Sequence, residues 1–258
     1  MDSPLTRSLE QFGPVSETES RVLSTMVLRT RQVAAGKDIV REGSRPLECC
    51  LILDGFACRY KLLSEGRRQI MSFHIPGDIC DLQNFLLPVM DHSIAALTRC
   101  LVGMIPHQTI HMITETYPHL TRLLWHSTLL DAAVFREWLV GVGRRSALAR
   151  VAHLFCEILL RLEAVGLAKV SGCELPLTQT DIGDALGLTN VHVSRVLQEL
   201  RRQRLITSRQ KALVVHDWEG LKRAAEFEPS YLHILGGAHQ GADHGGQRLR
   251  DSGIRVES

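Results

Sequence analysis

The sequence predicts an α+β chain: an N-terminal antiparallel β-roll of the jelly-roll kind, one long helix, and a C-terminal helical unit that closes in a β-hairpin. Three observations predict it. Residues 25–106 are short alternating apolar runs broken by Gly36, Gly43, Gly55, Gly66 and Gly77, about every ten residues, the rhythm of an antiparallel barrel or sandwich. From Pro118 no glycine interrupts the chain until Gly141, and apolar residues recur in steps of three and four. Two short amphipathic stretches around Gly187 are then followed by the basic segment "LITSRQKALVVHD".

Taken in order, residues 1–24 open with "MDSPLTRSLEQFGPVSE", which is polar, has no apolar core, and does not read as a signal peptide. They form an N-terminal segment before a sensor-sized roll over 25–117, whose end, "HQTIHMITETY", suits a short helix. Pro118 fits the first turn of the long helix. Along it Leu120, Leu123, Leu130, Val134 and Trp138, with Ser127 completing the steps, predict an apolar seam, either packed on its own domain or, as expected here, paired with the same helix of a second copy. Residues 118–143 are therefore expected to dimerise, with "GVGRR" at 141–145 breaking the pattern as a hinge. A further unit over 144–225 starts on "SALARVAHLFCEILLRLEAVG", in which Ala149, Val151, Ala152, Leu154, Phe155, Ile158 and Leu159 make a broad apolar face. Residues 226–258 are rich in Gly and His and, past a short apolar start, predict disorder. His233, His239 and His244 match no metal-ligand spacing.

A net charge of +2 excludes a uniformly basic surface, so any contact with nucleic acid must come from a local patch. The longest apolar runs are about five residues, far short of the roughly 18 that span a bilayer, so no membrane partner is expected. Seven cysteines, Cys49, Cys50, Cys58, Cys80, Cys100, Cys156 and Cys173, form no C-x-x-C pair. Their odd number and apolar neighbours predict reduced, packed thiols in a cytoplasmic protein, with Cys173 the most exposed.

The motif that carries chemistry begins at Thr178. Thr178 with Asp181 three residues on is a capping box. Gly183 allows a second helix close, Gly187 supplies the turn, and Thr189 caps that second helix. Ile182, Leu186, Leu188, Val193, Val196 and Leu197 then point inward. These spacings define a helix-turn-helix, whose second helix lies in a DNA major groove. The expected DNA-facing residues are Gln179, Thr180, Thr189, Asn190, Val191, His192, Ser194 and Arg195. Arg195 can donate a bidentate pair to guanine O6 and N7, Asn190 and Ser194 can meet a base or a phosphate, and Val191 offers only apolar contact, as with a thymine methyl. From 190 to 211 there are five arginines and Lys211 against Glu199 alone, a local +5 that attracts phosphate. Arg209 and Lys211 sit at the tip of the basic hairpin, where a wing would reach the DNA backbone.

On these residues the chain resembles the Crp/Fnr family of bacterial transcription regulators, over roughly 200 of its 258 residues. The stretch "TQTDIGDALGLTNVHVSRVLQELRRQRLITSRQKALVV" resembles that family's winged helix-turn-helix. "GRRQIMSFHIPGD" resembles its cyclic-nucleotide-binding-type roll, and residues 118–141 its dimerisation helix. The resemblance implies a homodimer reading double-stranded DNA at a palindrome of two half-sites about one helical turn apart, with RNA polymerase a further partner it allows. Arg195 falls on the family's main base-reading arginine and Ser194 on the serine of the oxygen-responsive branch. Val191 stands where many members carry a cytosine-reading glutamate.

The resemblance also locates an effector pocket, and there the sequence departs from the cyclic-AMP binders. Their Gly-Glu pair is matched by Asp81-Leu82, their Arg-Ser phosphate pair by His92-Ser93, and their Thr-Ser pair on the long helix by Phe135-Arg136. An aspartate repels a phosphate and a neutral histidine balances it poorly, so cyclic AMP is not expected. Nor is an iron–sulfur cluster, since no cysteine precedes Cys49, nor haem, for which His74 or His92 would be a lone ligand. No cofactor and no metal is expected. Two alternatives differ in kind: a cupin-like metal enzyme using His74, His92 and His107, whose spacing lacks the H-x-H and trailing glutamate of that class, and a regulator that responds to Cys oxidation. The expectation is a regulator rather than an enzyme.

Overall fold

The computed structural model describes residues 3–209 and 211–234. Two short helices come first, α1 (Pro4–Glu10) capped by Ser3 and α2 (Glu17–Thr25) opened by a Ser16/Glu19 capping box. Strands β1 (Arg29–Val33), β2 (Asp38–Val40), β3 (Glu48–Asp54), β4 (Ala57–Leu62), β5 (Arg68–His74), β6 (Ser93–Ala96) and β7 (Cys100–Pro106) form the roll. It consists of two antiparallel sheets, ordered β1-β7-β3 and β2-β6-β4-β5. Helices α3 (His107–Thr116), α4 (Pro118–Arg144) and α5 (Ala147–Ala164) lead to β8 (Gly172–Glu174). The chain then forms α6 (Gln179–Leu186), α7 (Asn190–Arg202), β9 (Ile206–Arg209), β10 (Ala212–Val215) and α8 (Trp218–Ala225). Strand β8 adds a third strand to the predicted hairpin, in the order β8-β10-β9.

Period-two alternation explains why the roll is buried on both faces. On β3, Cys50 and Ile52 enter the roll interior with Val40, Ile94 and Val102, while Cys49 and Leu51 face outward against Leu5, Leu9, Leu23, Leu120 and Leu123. The N-terminal segment therefore does more than precede the roll: α1 and α2 cover its outer face. On the other sheet, Cys58, Ile70 and Phe73 turn outward into one core with Val134, Trp138, Phe155, Ala185 and Leu186.

Three expectations change. Of the predicted dimer seam, Leu120, Leu123, Val134 and Trp138 are buried within their own chain, because the roll and α5 cover that stripe first. The stripe left open on α4 is a different one, with Trp125 65%, Leu129 52% and Leu139 74% exposed. The "GVGRR" hinge is also displaced. Helix α4 runs through both glycines to Arg144, and the break falls where Ser146 caps α5 by accepting from Ala149 N at 3.1 Å. Gly141 is buried, and Arg145 is paired with Glu137 a little over two turns back, which offsets the roughly 1 kcal/mol that a helical glycine costs relative to alanine.

The third change is at the C-terminal end. Residues 226–234 are ordered, with Phe227 and Leu232 buried against the α5 core. The Tyr231 hydroxyl donates to Glu157 Oε2 at 3.1 Å, beside a bond of 2.9 Å from Trp138 Nε1 to the same oxygen. Glu157 is fully buried, and burial raises its carboxyl pKa against the pull of Arg161. His153 stacks on Tyr231, and burial lowers its pKa to about 4, so it is packed as a neutral ring. His233 is exposed, whereas His239 and His244 lie outside the described residues. Because Leu232 is enclosed, Leu232→Ala is expected to cost about 2–5 kcal/mol, read as a fall in thermal midpoint, whereas a disordered segment would leave the midpoint unchanged.

Candidate nucleic-acid interface

Helix α6 is built from its cap. Thr178 Oγ1 accepts from Asp181 N at 3.1 Å, and Asp181 Oδ2 accepts from Thr178 N at 3.0 Å and from its hydroxyl at 2.6 Å. The helix ends on Gly187 in the left-handed region, φ 66°, and Arg150 of α5 donates to the Leu186 carbonyl at 2.8 Å. The tight turn brings α7 against α6 at Gly183, where a Cβ would stand 2.5 Å from the Leu188 carbonyl oxygen. Thr189 then caps α7, accepting from His192 N at 3.3 Å. The relative attitude of the two helices is thus set by a close backbone contact at Gly183.

On α7, Val193, Val196, Leu197 and Leu200 are buried. Opposite them, at steps of four and three, stand Val191 (61% exposed), Arg195, Gln198 and Arg202. This exposed ridge is the face a major groove would receive. Its four members differ in freedom. Arg202 is held by a two-pronged pairing to Glu199 at 2.7 and 2.8 Å, with Gln203 donating to the same carboxylate. Those bonds lower the Glu199 pKa to about 2. Arg195 and Gln198 make no such side-chain bond among the described residues and remain free to meet a base. Gln198 escaped sequence reasoning, although its place seven residues after Val191 puts it on the same ridge.

The other predicted residues take distinct places. Thr189 and Asn190 are exposed at the start of α7, and Asn190 Nδ2 donates to Thr180 Oγ1 at 3.2 Å, bracing α6 against α7. Gln179 and Thr180 are exposed in the first turn of α6, His192 is exposed to one side of the ridge, and Ser194 is half-buried. Arg209 is the last residue of β9 and pairs with Ala212 across the hairpin; Lys211, at φ 71°, is exposed at the tip. Arg201 ties this wing to α7 by donating to the Ser208 carbonyl and hydroxyl at 3.3 Å.

Most residues of the expected effector pocket have local partners. Asp81 is fully buried and accepts from Cys50 N at 2.6 Å; burial raises its carboxyl pKa to about 7. Leu82 opens a short 3-10 helix. His92 pairs with Asp91 at 2.6 Å, and Ser93 accepts from Glu42 N at 3.0 Å. Arg136 is exposed on the outer side of α4, while Phe135 lies under the guanidinium of Arg59, 5.4 Å from ring centre. Arg59, which sequence reasoning passed over, is the buried cation of the roll. It donates to the Cys80 carbonyl at 2.7 Å and to Asp131 of α4 at 2.9 Å. Six of the seven cysteines are buried and Cys173 is half-buried. Burial raises their thiol pKa values, to about 12 for Cys58 and Cys156 and about 11 for Cys173, which works against the thiolate that oxidation needs. Among the described residues no group of three or more His, Cys, Asp or Glu is placed to hold a metal ion.

Two family descriptions match the chain in consecutive blocks, a cyclic nucleotide-binding domain over residues 30–117 and a Crp-like helix-turn-helix domain over residues 149–224. A probable transcriptional activator of Rhizobium leguminosarum bv. viciae is 30% identical over 213 residues, which are 82% of this chain and 87% of that one. The chain belongs to the Crp/Fnr family of transcription regulators. Among other Crp/Fnr relatives, the nitrogen fixation regulation protein FixK of Rhizobium meliloti is 27% identical over 80% of this chain and 88% of its own. The structure of FixK2 from Bradyrhizobium japonicum superposes with a TM-score of 0.69 at 28% identity, covering 76% of this chain and 96% of that one. Family membership sets the cupin-like enzyme aside and makes the α6–α7 unit a DNA-binding module. No helix among the described residues is long and apolar enough to cross a membrane. Since Gly183 has no room for a methyl group, Gly183→Ala is expected to lower stability by about 1–3 kcal/mol and to weaken DNA binding, checked by thermal melting alongside a mobility-shift titration.

Proposed function

We propose that this Crp/Fnr regulator is a cytoplasmic homodimer that activates transcription by reading a palindromic operator, with Arg195 as its principal base reader. The observation that carries the reading is the α7 ridge, on which Arg195 is exposed beside Val191 and has no side-chain partner among the described residues, with the basic wing at its flank. Arg195 pairs with a guanine, Val191 lies against a thymine methyl, and Gln179, Thr180 and Lys211 meet phosphates. The activating sense rests on the relative named as a probable transcriptional activator; an activator of this kind also touches RNA polymerase. Dimerisation uses the open stripe of α4, Trp125, Leu129 and Leu139, whose spacing suits a paired helix.

The sensor roll works without cyclic AMP. The support is again local: the buried guanidinium of Arg59 is already paired with Asp131 over Phe135, and Asp81 spends one oxygen on the Cys50 amide. Haem and an iron–sulfur cluster have no part in this reading, in which the thiols, six of them buried, serve packing.

Three outcomes test the reading. Arg195→Ala should cost about 1–3 kcal/mol on the operator and relax preference at one base pair, whereas Lys211→Ala should weaken operator and scrambled duplex alike and reduce the salt slope by about one. Equal losses for both variants on both duplexes would overturn the assignment of Arg195. Leu129→Asp should shift the protein to monomer in sedimentation velocity. Calorimetric titration with cyclic AMP should give no saturable heat, and operator affinity should not change in its presence.

A further inference from the structure

Strand β5 of the sensor roll is tied to the DNA-binding unit at both ends. At its first residue, Arg68 donates through Nη2 to Asp181 Oδ1 at 2.7 Å and through Nε to Asp184 Oδ2 at 2.8 Å. Its neighbour Gln69 donates to the Ala185 carbonyl at 3.1 Å. At the far end of the strand, Arg161 of α5 reaches the Phe73 carbonyl at 3.1 Å and, just beyond the strand, Asp78 at 2.8 Å. Between these ties, Ile70 and Phe73 share their core with Ala185 and Leu186. One guanidinium fork therefore spans two carboxylates almost one turn apart on α6, which fixes the rotation of that helix as well as its distance. Asp181 is doubly engaged, because its second oxygen closes the capping box.

The geometry points to Arg68 as a positioning residue for operator reading: it holds α6, and through the Gly183 contact α7, at a fixed attitude to the roll, and so sets which half-site separation the dimer accepts. The path is continuous. Asp131 on the dimer helix holds Arg59 of β4; β4 pairs with β5; Arg68 of β5 holds α6; and α6 meets α7 at the Gly183 backbone with no slack. Arg68 is engaged with Asp181 and Asp184 and is assigned no base contact. It acts on where the two reading helices stand relative to each other, and it rests on the homodimer and palindrome proposed above.

The test uses the full-length protein and three duplexes: the operator, the operator with its half-sites moved apart by two base pairs, and the operator with the Arg195-contacted base pair changed. The parent should prefer native over lengthened spacing by at least about thirtyfold, within the range of allosteric coupling. Arg68→Ala should bind the native operator about tenfold more weakly, about one decade in equilibrium constant, and discriminate spacings by less than about threefold. It should still reject the changed base pair as the parent does. Arg68→Lys, reaching one carboxylate at a time, should recover part of the spacing preference, and Asp184→Asn should add no further loss to Arg68→Ala. An Arg68→Ala protein with the parent's spacing preference overturns the inference. So does one that loses spacing and base discrimination together, because that is a folding defect. A parent indifferent to spacing would instead sink the palindrome reading, and this inference with it.

Discussion

One apolar core shared by a sheet of the roll and the DNA-binding unit is the constraint on which the rest of this molecule depends. Cys58, Ile70 and Phe73 leave the roll on its outer face and meet Val134, Trp138, Phe155, Ala185 and Leu186 without an intervening solvent layer. Burying such side chains is worth about 1.5–3 kcal/mol each, so separating the two units would expose a large apolar surface. Interfaces between domains of one chain are more often polar and mobile. Here α4, the sheet and α5 turn inward on a common centre, and α7 inherits its orientation from that centre.

Ion pairs then specify geometry within this packing. Arg59–Asp131, Arg161–Asp78 and Arg68 with its two aspartates each join elements that belong to different layers. Burying charge costs more than a surface pair gains, and pairs of this kind add little net stability. Their value lies in direction: a guanidinium accepts few orientations, whereas an apolar contact tolerates sliding. Burial on its own would raise the Asp78 carboxyl, yet Arg161 and His74 beside it hold it below the usual carboxylate range, so this tie stays charged.

Local signals made the helix-turn-helix legible in the sequence. Thr178 with Asp181, Gly183, Gly187 and Thr189 act within one or two turns of themselves, and each does structurally what its spacing suggests. The alternation and glycine turns of the roll were legible for the same reason. What was misread depended on tertiary partners. Helix α4 carries two apolar stripes, and periodicity cannot say which one its own chain covers: Leu123 and Val134 went inward, Leu129 and Leu139 stayed out. Composition averaged over 226–258 hid Phe227 and Leu232, two residues with a pocket to fill. The glycines of 141–143 suggested a break that Arg145 prevents by pairing back to Glu137. Arg59 was overlooked because arginines are rarely interior, and only the fold supplies its Asp131.

Val191 has a chemical consequence of its own. An isopropyl group neither donates nor accepts, so in the proposed placement the feature open to it is the bulge of a 5-methyl substituent on a pyrimidine ring. Thymine carries that bulge, and so does a cytosine after enzymatic methylation. A valine so placed cannot by itself tell an A·T pair from a G·C pair whose cytosine carries that methyl.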